Sequence, residues 1–184
     1  LKVKTPSGET LEENKSEETS VLSPSTAYII NSILSDNNAR SPAFGPNSVL
    51  NLVGYPHVSV KTGTTTNMRD NWTIGYTPDY LVAVWVGNND NTPMSYVASG
   101  ITGASPIWNK IMTAVLKDTS DKEFPIPSEI KLVEICSLTA TLPCEGCPTK
   151  KEIFASGTEP QNHCSPETIK GIVAKMFGNS RPLR

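Results

Sequence analysis

VSVKTGTTTNMRDNWTIGYTPDYLVAVWVGNND, residues 58–90, is the stretch that decides the fold. Val58 to Thr65 is rich in β-branched residues, Trp72 to Tyr76 is a second run that stops before Pro78, and Leu81 to Val86 is a third, closed by Gly87-Asn88-Asn89-Asp90. Short β-branched and aromatic runs separated by Asn, Asp, Gly and Pro predict an antiparallel meander of three strands. The first strand carries Lys61-Thr62-Gly63-Thr64. A lysine beside hydroxyl donors offers charge and hydrogen bonds to a carboxylate. Gly63 lacks a Cβ, so another backbone can approach the strand closely. The pattern suits an extended peptide lying along a strand edge, its C-terminal carboxylate held by the threonines. Four residues alone describe an ordinary exposed strand with a solvated lysine just as well.

Outward from this stretch the chain reads as helices and turns. Residues 1–11 alternate about a Pro-Ser-Gly turn and predict a small hairpin, and Glu12 to Ser20 reads as a solvated acidic loop. Ser23-Pro24 is an N-cap followed by proline at the first helical position. Ala27, Ile30, Ile33 and Leu34 recur at helical spacing, which predicts a helix from Pro24 to Ser35 with that face in the core. Arg40 to Gly54 reads as a loop with a short apolar segment, Val49 to Val53. Ser105-Pro106 opens a second helix, Pro106 to Leu116, whose stripe of Ile107, Trp108, Ile111, Met112, Val115 and Leu116 should cover one face of the sheet. Residues 117–127, KDTSDKEFPIP, are charged and punctuated by proline. They divide the chain into residues 1–118, a linker at 119–127, and a small module at 128–184. Ser165-Pro166 opens a last helix with Ile169, Ile172, Val173, Met176 and Phe177 on one face, and the tail from Gly178 should fray.

Composition bounds the function. A chain of 184 residues can build a core, and 37% hydrophobic with 18% charged residues suits a soluble, rather polar protein. A net charge of −2 carries no footprint for nucleic acid. No apolar run approaches the ~18 residues of a membrane helix. The first residue is Leu1 rather than Met, which suits a fragment of a longer protein.

Lys-Thr-Gly is one of the motifs of class A β-lactamases and penicillin-binding proteins. The wider stretch KTGTTTNMRDNWTIGYTPDYLVAVWVGNND resembles the segment around that motif in class A penicillin-binding proteins, the bifunctional peptidoglycan synthases of bacterial envelopes. The resemblance extends back through VLSPSTAYIINSILSDNNARSPAFG and forward through GITGASPIWNKIM, and is strongest over about residues 20–118. It implies the α/β penicillin-binding transpeptidase fold, related to that of β-lactamases. There, helices flank an antiparallel sheet of about five strands, of which this chain would supply the last three, the C-terminal helix and a small cysteine-bearing β appendage. It implies a serine-type DD-transpeptidase that cross-links stem peptides ending in D-Ala-D-Ala and is trapped by β-lactams. In that reading Lys61 supports proton transfer and positive potential, Thr62 and Thr64 bind the terminal carboxylate, the Thr64 N–H joins the oxyanion hole, and Gly63 leaves room for the peptide. No metal or organic cofactor is implied. The protein would work outside the cytoplasm, anchored to the membrane only through an upstream segment next to a glycosyltransferase domain. A β-lactamase fits less well, because RDNWTIGYTPD and the C-terminal module are closer to the synthases. The rival from another class is a non-catalytic envelope module that binds peptidoglycan or a partner protein.

Two further matches to this family's motifs are decoys. Ser35-Asp36-Asn37 spells the second motif but sits at a polar helix end, where such residues serve as caps and turns. Ser128-x-x-Lys131 spells the nucleophile motif but leads into the alternating IKLVEI, a strand, where positions three apart point to opposite faces. This chain should therefore be inactive alone. His57 reads as a loop or packing residue and Arg69 as a turn ion pair. Trp72, Tyr76 and Trp85 read as sheet-packing aromatics. Cys136, Cys144, Cys147 and Cys164 allow two disulfides, a zinc site completed by His163, or free thiols; the compartment implied by the resemblance favours disulfides. Three pairings are possible.

Overall fold

The computed structural model describes residues 2–14, 19–94 and 101–177. In chain order it has β1 (Lys2–Lys4), β2 (Thr10–Glu13), α1 (Pro24–Ser35), α2 (Asn37–Phe44), β3 (Ser59–Thr64), β4 (Asp70–Tyr76), β5 (Leu81–Gly87), α3 (Ala104–Leu116), β6 (Ile130–Cys136), β7 (Thr149–Ala155) and α4 (Pro166–Phe177). The meander forms as expected: β3, β4 and β5 make one antiparallel sheet in that order, with Lys61 opposite Ile74, Gly63 opposite Trp72, and Trp72 opposite Trp85. The early hairpin also forms, β1 pairing antiparallel with β2.

Because side chains alternate across a strand, this register sorts the sheet into two faces. One carries Val60, Asn71, Thr73, Gly75 and Val84, and α3 packs on it through Ala104, Trp108 and Met112. Leu50, Leu52, Val58 and Leu116 complete this core. The fit is close enough to require glycine at 75, where a Cβ would lie 2.3 Å from Trp108 Cζ2. The sheet also caps α3. Gly103 has no side chain to offer, and Asn71 Oδ1 accepts the Ala104 N–H at 2.8 Å. Ser105 is therefore not the N-cap that the sequence pattern suggested; it is buried and shares a 2.8 Å hydrogen bond with Thr73. The apolar stripe is only half covered, since Ile107, Ile111 and Val115 remain exposed.

The other face carries Ser59, Lys61, Gly63, Trp72, Ile74 and Trp85. α1 covers only its end, where Asn31 accepts hydrogen bonds from Ser59 Oγ (3.0 Å) and Tyr76 Oη (2.7 Å). Trp72 and Trp85 are thus cross-strand neighbours on an open face rather than packed aromatics. α1 itself departs from expectation: Ile30 and Ile33 are exposed, and Ser25 is its buried residue. The loop expected over 40–54 begins with a helix instead. Asp36 caps α2 by accepting the N–H groups of Asn38 (2.8 Å) and Ala39 (3.0 Å), and the helix tolerates Pro42. Asp36 is a cap and not a catalytic group, as its place in the sequence suggested.

The run 117–127 has no helix or strand but is tied to the sheet region. Tyr55 Oη donates to Thr119 O (3.2 Å), Lys122 pairs with Asp79 at 2.8 Å, and Phe124 meets Tyr76 edge-on. Beyond it, β6 and β7 pair antiparallel, and Cys136–Cys147 and Cys144–Cys164 form two disulfides. Both cross the same loop, because Cys144 lies between Cys136 and Cys147. The Ser165 cap of α4 forms, its Oγ accepting Thr168 N–H at 3.1 Å. Of the stripe expected on that helix, Ile169 is buried and Met176 exposed, while the tail from Gly178 lies outside the described residues. β7 packs against α1, which joins this module to the sheet region.

Candidate functional site

Lys61, Thr62, Gly63 and Thr64 lie together at the C-terminal end of β3, and all but the half-buried Thr62 are exposed. Alternation puts Lys61 and Gly63 on the open face and Thr62 and Thr64 on the α3 side. Among the described residues β3 pairs only with β4, so its other edge presents unpaired backbone groups beside the motif. The Lys61 ammonium folds back to donate to Thr62 O, and no carboxylate among the described residues pairs with it. Nothing among the described residues requires glycine at 63, because a Cβ there would meet only Trp72 Cβ among them, at 4.0 Å. The space over Gly63 is open.

The turn after the motif is strained. Asn67 and Met68 have φ of 63° and 50°, in the left-handed region that side chains disfavour. Thr65 and Asp70 close the turn, Thr65 N–H donating to Asp70 O (3.1 Å) and Asp70 N–H to Thr65 Oγ1 (3.1 Å). Arg69 makes no turn ion pair among the described residues; it donates to Asn91 O at 2.6 Å and ties the turn to the loop after β5.

Beside the motif lies a cleft of about 280 Å³, lined by Lys61, Thr62 and Val60 on one side and by Ile33, Ala39 and Arg40 on the other. Arg40 was not singled out in the sequence. Its Nη2 donates to Leu34 O (2.8 Å) and its Nε to Asp36 O (3.3 Å), so it closes the C-terminus of α1. Burial lowers the pKa of its guanidinium, and Asp36 opposes that shift.

The other candidates are apart from this cleft. His57 is held by carboxylates of the linker, Nδ1 against Asp121 and Nε2 3.3 Å from Glu123 Oε1; no sequence motif announced this, because the partners lie 64 and 66 residues away. Ser128 and Lys131 do not meet: Ser128 Oγ donates to its neighbour Glu129, while Lys131 pairs with Glu159 at 2.8 Å. The zinc alternative gives way to disulfides, which use all four thiols. His163 Nδ1 instead contacts Pro143 O at 2.6 Å.

Comparison with known proteins bears on the family and the fold. Residues 126–167 match the family model described as penicillin-binding protein 1A, C-terminal domain. The chain is 32% identical to penicillin-binding protein 1A of Clostridium tetani over 169 residues, 88% of this chain and 21% of that protein. It is 33% identical to the Aquifex aeolicus protein of that name over 162 residues, 86% of this chain and 21% of the relative. The crystal structure of penicillin-binding protein 1A from Haemophilus influenzae superposes with a TM-score of 0.67 at 27% identity, covering 79% of this chain and 22% of that one. The fold is therefore that of a portion of this family, with mixed helices and antiparallel sheets. The chain spans about a fifth of the length of the relatives it matches, and over most of its own length it is similar to penicillin-binding proteins 1A.

Proposed function

We propose that the chain is the C-terminal part of a longer peptidoglycan DD-transpeptidase, and that β3 forms one wall of its active site. The observation that carries this reading is the open edge of β3, with Lys61 exposed and free space over Gly63. A stem peptide would lie along that edge as an added strand. Its C-terminal carboxylate would be held by the Thr62 and Thr64 hydroxyls, and Lys61 would supply positive potential and proton transfer toward the attacking serine. The Thr64 N–H would stabilise the oxyanion as the serine adds to the penultimate D-Ala carbonyl. D-Ala then leaves, and an amine of a neighbouring stem takes the acyl group. β-Lactams would be trapped by the same serine. That serine lies outside residues 1–184 in this reading, because the one Ser-x-x-Lys match is pulled apart on β6. The partition we propose is residues 1–118 as transpeptidase, 119–127 as linker and 128–184 as a separate module. Two disulfides suit an extracytoplasmic location, with the membrane anchor in the part of the protein outside this chain.

The test is labelling with a fluorescent penicillin. The full-length protein is expected to form a covalent adduct, and the 184-residue chain none. Lys61→Ala in the full-length protein should slow acylation by about a hundredfold, the scale of removing one preorganised electrostatic contact. An adduct mapped to a serine of this chain would refute the placement of the nucleophile, and unchanged acylation of Lys61→Ala would remove Lys61 from the mechanism.

A further inference from the structure

The two disulfides of the module are close enough to react with each other. Cys136 is bonded to Cys147 and Cys144 to Cys164, yet the Sγ atoms of Cys136, Cys147 and Cys164 all lie within 4.8 Å of one another. The bridge between Leu142 and His163 brings them together. Leu142 N–H donates to Asn162 O and Cys164 N–H to Leu142 O, both at 2.9 Å, so Cys164 is held beside the 137–147 loop. Cys144 has a different neighbour. It begins a reverse turn that Cys147 ends, closed by a 3.2 Å hydrogen bond from Cys147 N–H to Cys144 O, with Gly146 at φ 78° in the left-handed position. The backbone thus already approximates a second pairing, Cys136 with Cys164 and Cys144 with Cys147. Exposure separates the four sulfurs as well: Cys136 is fully buried, while Cys144, Cys147 and Cys164 are half-buried beside exposed residues.

From this we infer that the module is a thiol-driven disulfide switch, in which Cys164 passes exchange from one bridge to the other and produces the pairing Cys136–Cys164 with Cys144–Cys147. The inference does not depend on the reading of Lys61. Three exchange steps carry it. A small thiolate attacks Cys144 Sγ, the bond to Cys164 breaks, and Cys164 leaves as a thiolate while Cys144 holds the mixed disulfide. Cys164 then attacks Cys136 Sγ, and Cys147 leaves. Attack on Cys147 instead would expel a thiolate at the buried Cys136, which burial disfavours. In the last step Cys147 attacks Cys144 across their shared turn and releases the small thiolate. No electrons are gained or lost overall, and the thiol is not consumed. The consequence falls on the hairpin. Cys136–Cys147 closes β6 and β7 at their Cys136–Thr149 end; in the second pairing Cys136 is tied to the start of α4, and no covalent link joins the two strands there.

The test has two arms. In the first, oxidised Cys144→Ser leaves Cys164 as the free thiol. The chain is moved from about pH 5 to about pH 8, where thiolate forms, and free thiols are trapped with N-ethylmaleimide and mapped by mass spectrometry. The label should pass from Cys164 to Cys147, at an initial rate that rises about tenfold per pH unit because only the thiolate attacks. In the second arm, wild type is held with substoichiometric reduced glutathione, and its bridges are mapped by fragmentation between Ser137 and Pro143. Cys136–Cys164 with Cys144–Cys147 should accumulate without free thiols, and hydrogen exchange at the start of β7 should rise with it. Label that stays on Cys164, or that appears on Cys136, overturns the inference. So does a wild type that keeps its original bridges, whether or not the variant folds. Equal accumulation of Cys136–Cys144 with Cys147–Cys164 would mean random reshuffling and overturns it too. None of these outcomes touches the placement of Lys61.

Discussion

The sheet–α3 unit and the cysteine module are neighbours in one chain, yet they are held together by different physics. The sheet unit buries nine apolar residues in one cluster, centred on Trp108 and Met112 at no exposure. Among its described residues the module buries three, Ile135, Cys136 and Ile169, and adds two disulfides that cross the same loop. A sheet with a helix laid across it removes enough apolar surface to order itself. A single hairpin with one short helix does not, and covalent closure of its loops raises the free energy of the unfolded chain instead. The lesson is that one half of the chain is closed by covalent links and the other by apolar burial.

The largest effect should come from the sheet unit. Trp108→Ala removes the indole that fills the gap over Gly75 and is expected to cost about 3–5 kcal/mol. Gly75→Val, whose side chain would meet the Trp108 ring, should cost a comparable amount. Thermal unfolding followed by near-UV circular dichroism checks both, and a loss under about 1 kcal/mol would mean that the core is centred elsewhere.

Next comes the module. Its disulfides close loops with sequence separations of 11 and 20, each worth roughly 3 kcal/mol on the chain-entropy model. Reduction should raise hydrogen exchange throughout β6, β7 and α4 while β3, β4, β5 and α3 stay protected. Loss of protection in the sheet on reduction would erase the contrast between the two halves.

A smaller effect sharpens the comparison inside the sheet unit. Asn71→Ala strips the α3 N-terminus of its cap from β4 and leaves a buried N–H unpaired, which should cost about 1–3 kcal/mol. Hydrogen exchange at the first turn of α3 reports it directly.

Acid should give the smallest effect, and again in the module. Lys150 and Lys131 hold the carboxyls of Glu152 and Glu159 below their usual range. A depressed carboxylate stabilises the folded state above its unfolded pKa, and that contribution is lost as pH falls through the folded value. Mild acid, below the usual carboxylate range, should therefore loosen β6–β7 slightly. Carboxyl chemical shifts followed over pH check this, and unshifted titration of Glu152 would contradict it.

Much of this was legible in the residues. The three runs of 58–90 became β3, β4 and β5 because their alternation and their turn residues agree. The Pro24–Ser35 helix was readable from Ser23-Pro24, and the four cysteines announced a stapled module. The helix α2 was not legible, since Asn, Ser and Pro are poor helix formers; capping by Asp36 outweighs propensity there. The cap of α3 was misread because Ser105 looks like an N-cap locally, while the group that performs the task is Asn71, 33 residues away. Of the candidate site, Lys61 to Thr64 could be found by motif. Arg40 could not, because its use depends on where α1 ends.

Local information thus determined what lies within a few residues: strand period, turn chemistry, helix starts, and a motif whose four residues share one strand. Only the tertiary structure decided which sheet face stays open, which cysteines pair, that His57 meets Asp121 and Glu123, and that α1 joins the motif's cleft to β7. The physical reason is that periodicity and propensity act over a turn or two of chain, whereas burial, cross-linking and charge pairing depend on distances in space between residues tens of positions apart.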